Sequence, residues 1–283
     1  MKIYKKGNKA FIHFEDRWYQ KEIANWTNFL NKRSLRSTII PTLRNEYVIS
    51  SAEVDTITNW DPPMGLQEIW ASGVTYMRSK IERMNESKDA GSANFYDRVY
   101  EANRPELFFK ATPARTVGSG DHVFIRRDSV WNVPEPECTL LISSEGTIEG
   151  YTIGNDMSSR SIEGENPLYL PQAKTYERCA SIGPCIYLPP SPLSSYTEIS
   201  MVIEREGTEI FSDKTSLNKM KRSFDELVTF LYRECDFPTG SFLMTGTGIV
   251  PSADFTLAVN DVIKISIEGI GTLINTVDRK SSE

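Results

Sequence analysis

Two glutamates, Glu135 and Glu137, lie two positions apart within a stretch that runs from Trp131 to Cys185. In a β-strand, side chains two positions apart point to the same face, so the two carboxylates would lie side by side. A divalent cation between them would relieve their repulsion, and a hard ion such as Mg²⁺ prefers carboxylate oxygen. A solvated acidic edge strand is the alternative interpretation, because E-x-E pairs are common.

A third carboxylate approaches this pair when the strand is folded into a hairpin. The run Ser-Ser-Glu-Gly at residues 143–146 is a turn signal between two apolar runs. Reflecting the chain about Glu145 places Glu135 opposite Asn155, next to Asp156. One β-bulge or a strand end would bring Asp156 to the same ion, and three carboxylates would leave coordination positions for water and substrate.

Three later residues could contact a substrate. A lysine at Lys174, near three carboxylates and a metal, could donate to a developing enolate oxygen, or carry a proton if its pKa is lowered. A surface lysine is the alternative. Thr245 and Thr247 alternate with glycines in Thr-Gly-Thr-Gly, which predicts exposed N–H groups and hydroxyls suited to a carboxylate. A tight turn is the alternative there, and without a P-loop lysine the run does not indicate nucleotide binding.

Composition excludes several classes of protein. The 283 residues are 39% hydrophobic and carry a net charge of −6, which is unlike a nucleic-acid-binding surface. No apolar run reaches about 18 residues, so no membrane span is predicted. The opening residues lack a signal-peptide core, and the four cysteines form no C-x-x-C, so a cytoplasmic protein with reduced thiols is expected. The two histidines, His13 and His122, make a histidine-based metal site or a Ser-His-Asp triad hard to build.

The elements that position these residues are predicted to be mainly strands. Residues 1 to about 60 predict a small β-rich segment, with strands at 9–14 and 18–23 and a short helix near 25–32. The Trp-Asp-Pro-Pro-Met-Gly run at 60–65 marks a boundary. A helix is predicted after it, because the following apolar residues keep helical spacing: Ile69, Trp70, Val74, Met77, Ile81 and Met84.

An ordered set of short motifs resembles the fumarylacetoacetate hydrolase family over roughly Glu68 to Val277. Each motif alone is weak, but their shared order is specific. The motifs are Pro105–Lys110, Glu135–Glu137, Asn155–Arg160, Ala173–Lys174, Ile182–Pro184, Thr245–Gly248 and Ile267–Gly271. The resemblance implies a mainly β (α+β) protein, with a β-sandwich roll catalytic domain over 66–283 behind a small N-terminal domain over 1–65.

The resemblance also implies site residues and partners. A divalent metal would be held by Glu135, Glu137 and Asp156, with Mg²⁺ expected and Mn²⁺ or Ca²⁺ as alternatives. Lys174 matches the family's active-site lysine, and Thr247 lies where the family binds a substrate carboxylate. The expected partner is a small-molecule 2-keto acid, with no nucleic acid and no membrane, and the family's tendency to pair subunits implies a homodimer or homotetramer.

One motif departs from the hydrolases of this family. Those enzymes usually carry N-Y-x-x-H-x-x-E, whose histidine and glutamate activate water, whereas serine stands at the histidine position here, in the stretch from Thr75 through Ser79 to Glu82. The segment Ala71–Tyr76 is similar instead to a branch of dehydratases acting on 2-keto-3-deoxy-D-arabinonate. The product of that branch is 2-oxoglutarate semialdehyde.

The expected function is therefore Mg²⁺-dependent dehydration of a 2-keto-3-deoxy sugar acid in pentose degradation. Lys174 and Glu106 are the candidates for proton transfer and hydroxyl departure, while Tyr76, Ser79 and Glu82 would position the polyol end. A hydrolase or decarboxylase of a 2,4-diketo acid, of the acylpyruvase type, would use the same metal ligands and is the alternative function. A non-catalytic binding protein with a structural acidic hairpin is the third possibility.

Overall fold

The computed structural model describes residues 1–77 and 99–281. Within these ranges the chain forms sixteen β-strands. They are Lys2–Lys6 (β1), Lys9–Phe14 (β2), Arg17–Glu22 (β3), Val48–Ile49 (β4), Glu68–Gly73 (β5), Glu106–Ala111 (β6), Thr116–Val117 (β7), His122–Ile125 (β8), Asn132–Ile142 (β9), Ile148–Ser159 (β10), Ala180–Tyr187 (β11), Glu198–Arg205 (β12), Thr208–Ser216 (β13), Ser241–Met244 (β14), Val262–Ile267 (β15) and Gly271–Arg279 (β16).

The helices of the described residues are short. They are Trp26–Leu30 (α1), Leu35–Ile39 (α2), Ser51–Asp55 (α3), Arg160–Glu165 (α4), Leu170–Lys174 (α5) and Phe224–Tyr232 (α6). The side chain of Ser223 accepts a hydrogen bond from the Glu226 backbone N–H, which caps α6 as the Ser-x-x-Glu pattern predicts. No helix in the described part of the chain combines the length and the apolar character that a membrane crossing requires.

The strands form two sheets. The larger sheet has 11 strands in the order β4-β3-β2-β1-β11-β10-β9-β14-β5-β6, with β7 paired to β11 off this path. The second sheet has five strands in the order β13-β12-β15-β16-β8. The mainly β fold class is therefore confirmed.

Strand β9 is buried along its whole length because both of its faces are covered. Leu140 packs into one apolar core together with Ile203 and Ile265 of the second sheet. Leu141, on the opposite face, packs into another core that includes Leu30 of α1. Charged side chains on this strand therefore lie where water is largely excluded, and each needs a polar or charged partner.

The N-terminal strands predicted at 9–14 and 18–23 are confirmed as β2 and β3, and α1 lies inside the predicted helix at 25–32. Strand β1 pairs with β11 through Ile3 and Ile186, so these strands extend the larger sheet. The division into two domains at residue 65 stays a prediction.

The predicted helix from Ile69 is wrong over its first part, because residues 68–73 form strand β5. This strand pairs in parallel with β14 and antiparallel with β6. Ile69 and Ala71 are fully buried with a period of two, whereas Trp70 between them is partly exposed. Ladder hydrogen bonds on both sides outweigh the helical spacing of a short apolar run. The rest of the predicted helix beyond Met77 lies outside the described residues.

Candidate active site

The hairpin of β9 and β10 sets the position of the acidic side chains. Asp156 lies directly opposite Glu135, and Glu137 lies opposite Gly154. The register shifts at a bulge between Ile148 and Gly150, which moves the pairing by one residue from a simple reflection about the turn. Of the two predicted alternatives, a β-bulge or a strand end, the structure has the bulge.

Glu135, Glu137 and Asp156 each offer a carboxylate oxygen, and these oxygens lie within 4.8 Å of one another. The side chains are almost fully buried, with exposures of 5%, 1% and 0%. Burial raises the pKa of Glu137 well above its ordinary value, and the charges of Asp156 and Glu135 raise it further. Three buried hard oxygen donors that repel one another fit a divalent cation such as Mg²⁺.

Lys174 is not a surface lysine. It ends helix α5, its side chain is fully buried, and its ammonium group lies between the acidic residues. Nζ donates to Glu135 Oε2 at 2.8 Å, to Asp156 Oδ2 at 3.0 Å and to Ser158 Oγ at 2.6 Å. The structure thus brings Lys174 together with the carboxylates, as the sequence predicts.

Two more buried cations, whose roles the sequence motifs do not indicate, contact the same carboxylates. Lys110 Nζ lies 2.6 Å from Asp156 Oδ1 and also donates to the backbone carbonyls of Met157 and Lys174. Arg160 Nη2 lies 2.7 Å from Glu135 Oε1. The sequence signal that could have identified them is a charged residue at or near the end of an apolar or buried strand. Lys110 follows Leu-Phe-Phe, and Arg160 directly follows β10.

In the part of the chain that the structure describes, the charges that are nearly or fully buried at this site do not cancel. Seven ionisable side chains, all nearly or fully buried, form the cluster: Lys110, Glu135, Glu137, Asp156, Arg160, Glu163 and Lys174. Three are cationic and four are acidic, which leaves one negative charge in excess when all are ionised. Among the described residues Glu137 has no cationic partner at salt-bridge distance, so the excess is centred there, and a bound divalent cation would reverse its sign.

The Thr-Gly-Thr-Gly run after β14 orients Glu137. The Gly246 backbone N–H donates to Glu137 Oε2. Gly246 has a φ of +91°, and a Cβ there would lie 2.0 Å from Thr75 Oγ1, so a larger residue does not fit. The hydroxyl of Thr245 donates to the Cys138 carbonyl at 2.8 Å, and that of Thr247 to the Ile249 carbonyl at 3.1 Å. The substrate-binding role of both threonines stays a prediction.

The remaining predicted residues lie on β6 and in the segment that follows β5. Tyr76 is 1% exposed, and its hydroxyl has no hydrogen-bond partner among the described residues. Burial raises the pKa of Tyr76, with smaller contributions from Cys138 and Glu137.

Glu106 begins β6 and packs closely on Gly73. A Cβ added at Gly73 would lie 2.1 Å from Glu106 Oε2. Ser79 and Glu82 lie outside the described residues.

Comparison with known proteins gives one family and several close relatives. The family described as Fumarylacetoacetate (FAA) hydrolase C-terminal matches residues 69–278. The chain is 51% identical over 216 residues to a probable 2-keto-3-deoxyxylonate dehydratase of Haloferax volcanii, covering 76% of this chain and 73% of the relative. It is 43% identical over 223 residues to a 2-dehydro-3-deoxy-D-arabinonate dehydratase of Saccharolobus solfataricus, covering 78% of this chain and 73% of the relative.

A solved structure shows that the similarity extends to the whole fold. It is described as 2-keto-3-deoxy-D-arabinonate dehydratase complexed with magnesium and 2,5-dioxopentanoate. It superposes with a TM-score of 0.83 at 33% sequence identity and covers 99% of both chains. The N-terminal strands therefore fall within the superposed region together with the acidic hairpin.

Proposed function

The chain belongs to the fumarylacetoacetate hydrolase family, and from this premise we propose that it is a Mg²⁺-dependent dehydratase of a 2-keto-3-deoxy sugar acid. The proposed reaction converts 2-keto-3-deoxy-D-arabinonate to 2-oxoglutarate semialdehyde, in pentose degradation. The observation that carries this proposal is the buried triad of Glu135, Glu137 and Asp156 with Lys174 between two of its members. 2,5-Dioxopentanoate, the ligand named for the related structure, is the same compound as the proposed product.

Glu135, Glu137 and Asp156 would hold the metal ion. When bound, Mg²⁺ acts as a Lewis acid toward the carboxylate and keto oxygens of a 2-keto acid, which makes the neighbouring C3–H more acidic. A divalent ion would add two positive charges beside these buried carboxylates, and this fits a substrate that itself carries a carboxylate.

Lys174 and Glu106 are proposed to move the proton and assist the departing group. The C3–H bond and the C4–OH bond break, a C3–C4 double bond forms, and water leaves. Loss of a C5–H proton and return of a proton to C3 then move the double bond to C4–C5, and tautomerisation of this enol yields the C5 aldehyde. Lys174 can stabilise the developing negative charge, since its ammonium group already contacts oxygens at this site. Glu106, at the start of strand β6, is the proposed partner in proton transfer, and Lys110 of the same strand contacts Asp156.

Elimination suits this site better than hydrolysis, because neither histidine of the chain lies in the cluster. The His13 ring packs on Trp18 with centroids 4.8 Å apart. His122 is on an exposed face of β8, with Nδ1 at 3.3 Å from Asp278 Oδ2. A water-activating base near neutral pH is naturally a histidine, whereas dehydration releases water and has no need for one.

The test is turnover of purified protein with Mg²⁺ on two sets of substrates, 2-keto-3-deoxy sugar acids and acylpyruvates. The expected result is a product of 2-keto-3-deoxy-D-arabinonate that is lighter by one water and reacts as an aldehyde. Release of pyruvate from an acylpyruvate, with no dehydration of any sugar acid, would instead establish the hydrolase. Omitting Mg²⁺ and adding a chelator is the matched control.

We further propose that the protein is cytoplasmic and assembles as a homodimer or homotetramer. The tendency of the family to pair subunits supports the assembly, and four free cysteines, three of them buried, support a reducing compartment. Light scattering on the purified protein measures the mass of the assembly, and a monomer at micromolar concentration would contradict this part of the proposal.

A further inference from the structure

Each carboxylate of Glu135 and Asp156 has one inner oxygen, which contacts Lys174, and one outer oxygen, which faces another cation. Lys174 Nζ contacts one oxygen of each, Glu135 Oε2 at 2.8 Å and Asp156 Oδ2 at 3.0 Å. The other oxygens face different cations, with Arg160 at 2.7 Å from Glu135 Oε1 and Lys110 at 2.6 Å from Asp156 Oδ1. The outer contacts fix how each carboxylate is rotated, so the inner oxygens converge on one point.

Arg160 is itself shared between two carboxylates. Its Nη1 lies 3.1 Å from Glu163 Oε2, while its Nη2 lies near Glu135. Glu163 is three residues further along α4, and its side chain is 1% exposed. A guanidinium presents several N–H groups in one rigid plane, so Arg160 can hold both acids at once. The attraction of Arg160 for Glu135 therefore depends on the charge of Glu163.

We propose that Arg160 and Glu163 are positioning residues that orient Glu135 and set the affinity of the cation site. This inference rests on the metal site of the proposed function. Arg160 contacts both Glu163 and Glu135, so a change at Glu163 reaches Glu135 through that side chain. Outer partners of metal ligands commonly change metal affinity by about 10–100-fold when removed.

The sharpest variant is Glu163→Gln, because both of its consequences have the same sign. It removes a buried negative charge near the cation, and it leaves the full charge of Arg160 to compete for Glu135. The expected result is a Kd for Mg²⁺ that rises about tenfold in titration calorimetry.

The matched control is Asp261→Asn. Asp261 is a fully buried acid that pairs with Arg205 at 2.7 Å and 2.8 Å on the second sheet. This change should lower Tm while leaving the Kd for Mg²⁺ unchanged. The variant therefore shows whether a loss of stability by itself changes the Kd for Mg²⁺. Glu163→Asp keeps the charge with a shorter reach, and its Kd should lie between those of the parent and Glu163→Gln.

The outcomes separate this inference from the proposed function. The inference about Arg160 and Glu163 would be overturned if the Glu163→Gln variant had a lower Tm but the parent Kd for Mg²⁺. It would also be overturned if the Kd for Mg²⁺ rose equally in the Asp261→Asn variant. If Glu163→Gln does not fold, a Glu163→Asp variant with the parent Kd has the same meaning. If the unmodified protein binds Mg²⁺ but does not dehydrate sugar acids, only the proposed dehydratase function is refuted. If the unmodified protein binds no Mg²⁺, the metal site and this inference are refuted together.

Discussion

Asp156 lies directly opposite Glu135 in the antiparallel ladder of β9 and β10. Residues directly opposite one another have neighbouring Cβ atoms, so their carboxylates approach closely on one face of the sheet. Like charges in this arrangement destabilise a sheet unless a cation compensates them. Lys174, Lys110 and Arg160 supply that compensation for these two residues, and Glu137 is left with a backbone N–H from Gly246.

Glu137→Gln should weaken Mg²⁺ binding by more than about tenfold, because ligand charge largely sets the affinity of oxygen sites. The Tm of the metal-free variant should rise, since the substitution removes the carboxylate whose pKa burial and two neighbouring acids hold well above its ordinary value. Titration calorimetry and thermal unfolding in chelator measure the two effects. Glu204→Gln, at a partly exposed pair with Lys264, is the control, and a Glu137→Gln variant that keeps the parent Kd for Mg²⁺ would contradict the metal assignment.

Lys174→Met keeps the length of the side chain and deletes the ammonium group. Loss of a charged donor to developing negative charge should lower kcat by about 10²-fold or more, with a smaller change in KM. Steady-state kinetics with the sugar acid measures both constants. Lys264→Met, on strand β15 of the second sheet, should leave both unchanged, and parent-like turnover by Lys174→Met would remove the lysine from the mechanism.

Lys110→Met should destabilise the fold by about 3–5 kcal/mol, because removing one partner of a buried ion pair leaves the other charge uncompensated. Lys110 is fully buried, and its ammonium group also holds the carbonyls of Met157 and Lys174. Urea unfolding in chelator measures this change. Lys214→Met, which removes an exposed pair with Glu198, should change stability by less than about 1 kcal/mol. If the two variants lost equal stability, the contacts of Lys110 with Asp156 and the two carbonyls would not stabilise the fold.

Gly246→Ala should weaken Mg²⁺ binding and lower stability together. The new Cβ would lie 2.0 Å from Thr75 Oγ1, so the backbone that donates to Glu137 must move. Gly207→Ala is a matched control, because Gly207 also has a positive φ, +77°, but has open space around it. The control should lose only about 1 kcal/mol for the left-handed backbone, with an unchanged Kd for Mg²⁺. If the two variants bind Mg²⁺ equally well, Gly246 does not orient Glu137.

Local sequence determined the parts of this protein that depend on neighbours in the chain. The spacing of Glu135 and Glu137 placed both on one face of β9, because side chains alternate along any strand. The turn at 143–146 joined β9 to β10, and the Ser-x-x-Glu pattern at Ser223 began α6. The ordered motifs identified the family before any contact was known.

Only the tertiary structure decided which distant residues complete the site. The bulge between Ile148 and Gly150 set the register that places Asp156 opposite Glu135, and no local pattern specifies where a bulge falls. The sequence of strand β5 predicts a helix, but its conformation depends on ladder partners in β14 and β6, far along the chain. Lys110 reaches Asp156 across 46 positions for a similar reason: a buried carboxylate binds whichever cation the fold brings to it, and spacing along the sequence does not reveal which cation that is.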